Sequence, residues 1–140
     1  MIAYESILRG VLWAHVGYFC SMAAAHWFSF KKPVLFVYYD TPFHAYQDKI
    51  ISFCVLTYVA MFTSAALHPV ENTPFALFSI WTTVLGLAAI NRSKALQKVL
   101  KGKSTFWYWA QVAMIASGAA VMTGLYAAIN VQKIGDHTEL

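Results

Sequence analysis

The feature that most restricts the fold of this chain is a set of four long apolar segments separated by short polar breaks. A helix needs about 20 predominantly apolar residues to cross a bilayer. Only 11% of the 140 residues are charged, against roughly 25% in an ordinary soluble domain. The sequence therefore predicts an all-α integral membrane protein, a four-transmembrane-helix bundle with antiparallel, up-down topology. The single membrane domain covers residues 1–140, with spans at about residues 7–30, 50–67, 75–91 and 105–131.

Helix-start signals stand before three of the spans. Residues 40–42 (Asp-Thr-Pro) combine cap residues with a proline suited to a first turn, and residues 72–74 (Asn-Thr-Pro) repeat this arrangement. We expect the second and third helices to begin near these segments. Ser104 and Thr105 are suited to cap the fourth helix. The short break between the second and third spans predicts a helical hairpin.

The segment RSKALQKVLKGKS, residues 92–104, is strongly basic. It is expected to prolong the third helix and to end at Gly102. Leu96, Val99 and Leu100 would form its apolar side. The opposite side would lie at the lipid headgroups and attract anionic lipid. The residues assigned to topology and headgroup contact are Arg92, Lys94, Lys98, Lys101 and Lys103.

The cations are distributed unequally between the two predicted faces of the membrane. Eight lie in the loops 31–49 and 92–104, whereas Arg9 and Lys133 are the two on the opposite face. Positively charged short loops are retained on the cytoplasmic, matrix or stromal side. We therefore expect both termini on the outer or luminal side. The sequence fits a bacterial inner membrane, the endoplasmic reticulum or an organellar inner membrane, and does not choose between them.

Small residues recur at steps of four in the first and last spans. Helices associate closely in lipid where small side chains let their backbones approach. Such ridges pack either against each other within the chain or against a second chain. The candidate packing residues are Gly17, Ser21 and Ala25 in the first span, and Ala116, Ala120, Gly124 and Ala128 in the last.

Histidines are the polar residues most able to carry chemistry in this chain. His15 and His26 share a helix face, and an antiparallel partner helix would bring His44 and His68 to matching depths. Paired imidazoles at these positions would ligate haem b. A second hypothesis joins His26, His44 and Asp48 in a metal or acid–base site. Neither hypothesis supplies a complete metal-ligand set, so no metal site is predicted.

Signatures of enzymes are absent from the sequence. It has no glycine-rich phosphate loop, no GxSxG and no HExxH, and no basic, aromatic-interleaved surface for nucleic acid. We therefore expect a non-enzymatic accessory or scaffold subunit, whose partners are the lipid bilayer and other membrane subunits. One alternative is a redox subunit associated with haem or quinone that uses the intramembrane histidines His15, His26, His44 and His68. A second alternative is a protein that handles lipid or a small solute.

The segment IWTTVLGLAA, residues 80–89, together with the four spans, resembles two groups of small membrane proteins. One group is the sterol-biosynthesis scaffold proteins of the endoplasmic reticulum, and the other is the DoxX-like four-helix proteins. The resemblance is one of architecture, and it implies a four-span fold without assigning a role to any residue.

Overall fold

The computed structural model describes residues 2–35 and 44–138, and their secondary structure is entirely helical. Within these residues, four helices are long and apolar enough to cross a membrane, which confirms the predicted class: a multi-pass integral membrane protein. A short helix, α4, stands between the third and fourth spans. The helices are α1 (Ile2–Trp27), α2 (Ala45–Leu67), α3 (Pro69–Arg92), α4 (Lys94–Leu100) and α5 (Phe106–Thr138).

The four long helices close into a bundle in which α1 contacts α2 and α5, and α3 contacts the same two helices. The α1–α2 interface is the most extensive and contains a stack of rings. The imidazole of His15 stacks on Phe62 with ring centroids 5.1 Å apart. Phe19 stacks on Phe62 at 5.4 Å and on Tyr58 at 5.0 Å. Residue numbers therefore rise along α1 while they fall along the facing side of α2.

The third helix begins earlier than the sequence predicts. His68 is the sole residue between α2 and α3, and Pro69 occupies the first turn of α3. Residues 72–74 consequently lie inside the helix rather than before it. A proline in the first turn is as good a start signal as an Asn-Thr-Pro segment, and the earlier of the two is used. The proposed start at residues 40–42 lies outside the described residues, and the observed α2 begins after His44, whose side chain does not cap it.

Pro74 creates a link between α3 and α5. Because proline has no backbone N–H, it cannot donate the helical hydrogen bond to the carbonyl four residues earlier, that of Val70. The hydroxyl of Tyr126, on α5, donates to that same carbonyl at 3.3 Å. A side chain from the neighbouring helix thus replaces the missing helical bond.

The basic segment forms its own helix and does not continue α3. Ser93 ends α3 in an extended conformation, and its hydroxyl accepts a 3.2 Å hydrogen bond from the N–H of Leu96, which caps α4. Leu96 and Leu100 are buried against Tyr108, but Val99 is exposed, contrary to the predicted apolar side.

The connection from α4 to α5 begins with a turn and ends with a capping serine. Lys101 adopts the left-handed conformation that ends α4, with φ of 50°, and Gly102 follows with φ of 87°. The stop predicted at Gly102 therefore falls one residue earlier. Ser104 accepts a 3.1 Å hydrogen bond from the N–H of Phe106, as expected of a residue that caps the last span.

Hydroxyl and amide side chains within the spans mostly bond to their own helix. Thr82 donates to the carbonyl of Phe78 at 2.8 Å, and Asn130 donates to the carbonyl of Tyr126 at 3.0 Å. Ser117 makes the same type of bond. This local bonding satisfies polar groups at membrane depth. These residues are therefore not candidates for a binding or catalytic site.

Candidate functional site

Buried polar side chains are concentrated at one end of the bundle. We call this the loop end, where α1 and α3 end and α2 and α5 begin, and we call the opposite end the terminal end. The buried polar residue described at the terminal end is Thr73. Those at the loop end are His26, Asp48, Ser52, Asn91 and Gln111.

His26 and Asp48 join the end of α1 to the start of α2. His26 Nδ1 lies 3.1 Å from Asp48 Oδ1, and both side chains are almost wholly enclosed. One turn further into the bundle, Ser52 donates a 2.7 Å hydrogen bond to the carbonyl of Ala23. Burial on this scale closes the pair to a substrate, so its direct effect is to fix how α1 and α2 meet.

The proposed three-residue site does not form, because His44 faces outward. Its backbone carbonyl accepts the N–H of Asp48 at 3.0 Å, but its side chain is exposed. His44 is the residue immediately before α2, and its extended backbone directs the imidazole away from the core. The sequence thus predicted the proximity of His26 and Asp48 correctly and misplaced the third member.

Tyr18 and Gln111 hold the chain that follows α1. The Tyr18 hydroxyl donates to the carbonyl of Val34 at 2.7 Å, and Gln111 Nε2 donates to the same oxygen at 2.9 Å. Tyr18 precedes the last residue of α1, Trp27, by about 13 Å along the helix axis. The chain after α1 must therefore turn back along the bundle. Val34 has φ of 66°, a conformation that costs a β-branched residue of order 1–3 kcal/mol.

His15 lies in the middle of α1 and contacts both α2 and α5. Its Nδ1 is 2.8 Å from the carbonyl of Val11, one turn earlier in α1. A methyl group added at Gly118 of α5 would stand 2.6 Å from Nε2, so the imidazole edge lies directly over this glycine. Beside it is a cavity of about 160 Å³, lined by Ala14, His15, Tyr18, Phe19, Met114, Ile115 and Gly118.

The structure does not bring the histidines together in pairs. His15 stacks on Phe62, His26 bonds to Asp48, and the exposed His68 caps the end of α2. The histidines that were expected at matching depths for haem ligation are therefore not adjacent in the structure. Across the described residues, no group of three His, Cys, Asp or Glu side chains converges as metal ligation would need.

The small-residue ridges do not face each other. Gly17 and Ser21 are exposed on α1, and Ala120 and Gly124 are exposed on α5. Ala25 is buried, whereas Ala116 and Ala128 are half-buried. His15 of α1 lies instead against Gly118 of α5, which stands between the ridge positions. Each ridge therefore has both exposed members and buried or half-buried ones, and packing against a second chain stays a prediction.

The cations at the loop end lie on its surface beside aromatic rings. The Arg92 guanidinium lies 5.8 Å from the ring centre of Trp109, and Lys49 Nζ lies 5.6 Å from that of Trp27. Such contacts are favourable by about 0.5–1 kcal/mol at exposed sites. The remaining predicted headgroup residues, Lys94, Lys98, Lys101 and Lys103, are all exposed.

Comparison with known protein families, curated proteins and solved structures finds no match to this chain. The architectural resemblance to the scaffold and DoxX-like proteins is therefore not supported by any match. The candidate site is therefore described from the geometry of its own residues. Sequence analysis missed Tyr18, Val34 and Gly118. The sequence contained an indication of two of them. Tyr18 lies one turn after His15, and Gly118 lies two turns after Gln111 on one face of α5.

Proposed function

We propose that this protein is a non-enzymatic accessory subunit that packs against another membrane protein through the outer face of α5. One observation carries the proposal: this face is exposed and consists of small residues at alternating steps of four and three. Small residues on one helix face allow a second helix to approach closely in lipid. The outer face of α5 is formed by Ala113, Ser117, Ala120, Gly124 and Ala127.

The interior contacts support this assignment, because they leave the outer face unused. The α1–α5 contact includes His15 and Gly118, and Trp81 of α3 donates to Thr123 of α5 at 3.2 Å. At most 28% of any candidate span is buried inside the chain. A bundle of this size therefore offers a partner more surface than it covers itself.

Co-purification in mild detergent tests the proposal. The wild-type protein is expected to bring down a stoichiometric membrane partner, and Gly124→Leu is expected to lose it because the leucine prevents close approach. Ala60→Leu, which places the same side chain on an exposed site of α2, is the matched control and should retain the partner. A wild-type protein that purifies as a monodisperse monomer with nothing bound would contradict the proposal.

We also propose that the helices cross the membrane in alternating directions with the loop end on the cytoplasmic side. The opposed numbering of contacts between neighbouring helices and the exposed cations of α4 support this arrangement. Free Cys20 and Cys54 are exposed and must first be replaced by serine. In that background, an impermeant maleimide should label Glu71→Cys in intact cells and Lys103→Cys after permeabilisation. The reverse pattern would overturn the orientation.

A second candidate function is the handling of a lipid-soluble compound, and the cavity beside His15 favours it. The separate haem hypothesis, a redox subunit that uses the intramembrane histidines, has a direct test in the optical spectrum of the purified protein. A Soret band that disappears in His15→Ala would support haem at this position. A spectrum without such a band after expression in haem-replete cells would oppose it.

A further inference from the structure

We propose that the cavity between α1 and α5, called here the His15 groove, binds the ring of a lipid-soluble phenol or quinol. The hydroxyl of this ligand would donate a hydrogen bond to His15 Nε2. This inference does not depend on the accessory-subunit proposal, because the groove lies on the opposite side of Gly118 from Ala120 and Gly124.

The hydrogen bond made by Nδ1 determines what Nε2 can do. A backbone carbonyl only accepts, so the 2.8 Å contact with Val11 requires that Nδ1 carry the hydrogen. In a neutral imidazole, Nε2 then holds the lone pair and is an acceptor. Nε2 has no hydrogen-bond partner among the described residues. It is also not among the fully buried side-chain atoms, so it is accessible from the groove. The groove therefore presents one acceptor that needs a donor.

The imidazole is held in place before any ligand arrives. The stack on Phe62, with an interplanar angle of 13°, and the bond to Val11 restrain the ring from two sides. Tyr18, on the same lining, is fixed by its bond to the Val34 carbonyl. Restraint of this kind reduces the entropy lost on binding.

The size of the groove selects a ring. Its volume is about 160 Å³, close to the roughly 150 Å³ of an apolar cavity that binds benzene. Gly118 sets this space, because a methyl group there would press against the Nε2 edge of the imidazole. The groove also opens to the outside of the bundle, which is where a ligand dissolved in lipid would enter.

The chemistry of the lining selects a neutral donor. No lysine or arginine lines the groove, so an anionic headgroup has no counter-charge there. Apart from His15 and the already bonded Tyr18, the lining residues are apolar: Ala14, Phe19, Met114, Ile115 and Gly118. An aromatic alcohol matches both parts of the site, whereas an oxidised quinone has no hydroxyl to donate.

Two matched probes test the inference on the wild-type protein in lipid nanodiscs. 4-Methylphenol carries the donor, and 4-methylanisole has the same ring with the donor methylated. Ligand-observed NMR titration, corrected with empty nanodiscs for partitioning into lipid, gives both dissociation constants. We expect the phenol to bind about tenfold more tightly, the effect of one additional hydrogen bond. Equal affinities would overturn the inference.

Three variants test whether His15 and Gly118 determine the binding of the two probes. His15→Phe keeps a flat ring able to stack on Phe62 but removes the acceptor, so it should bind both probes equally. Gly118→Ala should weaken both probes, and Gly124→Ala, where a methyl group meets nothing within 4 Å, should behave as wild type. Retention of the phenol preference in His15→Phe would overturn the inference.

A spectroscopic measurement on the wild-type protein does not depend on any variant folding. The ¹⁵N resonance of His15 Nε2 should shift on addition of 4-methylphenol and stay in place with 4-methylanisole. Identical responses to the two probes would place the ligand away from Nε2 and overturn the inference.

Discussion

The two ends of this bundle are held together in different ways. At the loop end, side chains bond to side chains and to the returning chain: His26 to Asp48, and Tyr18 and Gln111 to Val34. At the terminal end, the helices are joined by a short connection, by a hydroxyl bonded to a backbone carbonyl, and by one exposed bond between side chains. A long loop must be fixed by specific polar contacts, whereas a hairpin with one connecting residue is already constrained by covalent geometry.

The largest difference between the ends should appear when the buried pair is broken. Asp48→Ala leaves the enclosed His26 without this acceptor and should lower the free energy of unfolding by about 3 kcal/mol, the upper end of the cost when a buried polar group loses a partner. Denaturation in detergent, followed by circular dichroism, measures it. The terminal-end counterpart is Thr73→Val, because Thr73 Oγ1 is buried without a hydrogen bond among the described residues. That change should be neutral or stabilising, and equal losses at both sites would remove the distinction between the ends.

A middle-sized effect should separate the glycines of α5. Gly118→Ala forces the imidazole of His15 to move and should cost about 1–3 kcal/mol of stability, as overpacking does. Gly124→Ala meets open space and should lose nothing, since alanine is the better helix former. The same denaturation assay applies. Similar stability in the two variants would show that the α1–α5 contact is looser than the distances indicate.

The link between Pro74 and Tyr126 should show coupling of about 1 kcal/mol. Tyr126→Phe removes the donor to the Val70 carbonyl and should destabilise the wild-type protein by about that amount. In Pro74→Ala, the helix supplies its own donor, so Tyr126→Phe should cost little. A double-mutant cycle measures the coupling. Additive effects would mean that the hydroxyl does not replace the helical bond.

The smallest effect should come from an exposed bond at the terminal end. Asn72 Nδ2 donates to Ser64 Oγ at 2.9 Å across the hairpin. Asn72→Ala should change stability by about 0.5 kcal/mol or less, because the site is exposed and the connection already holds the helices. A loss as large as that of Asp48→Ala would reverse the ranking of the two ends.

The parts of the fold that sequence could predict are those with a local cause. Long apolar segments define spans whatever they pack against, and a serine before a span caps it. The start of α3 was ambiguous because Pro69 and Pro74 both satisfy the rules for a first turn. Sequence spacing placed His26 near Asp48 once α1 and α2 were taken as neighbours. It did not give the side chain direction of His44, which depends on one extended residue.

Other parts of the candidate site depend on contacts between distant segments. The bond from Tyr18 to Val34 requires the chain to turn back after α1, and the left-handed conformation of Val34 is one that its side chain disfavours. No local rule predicts a conformation that opposes local preference. The role of Gly118 likewise depends on which residue of α1 lies opposite, and the ridge pattern pointed to the positions on either side of it.

The connection between α2 and α3 bears on how the protein is made. His68 is the one residue between α2 and α3. This connection is too short for one helix to lie in the bilayer while the other remains in water. We therefore expect the two helices to enter the lipid together during synthesis. A substitution that weakens the apolar character of either one would then impair insertion of both, and the damage would appear as lost protein rather than as a misfolded end.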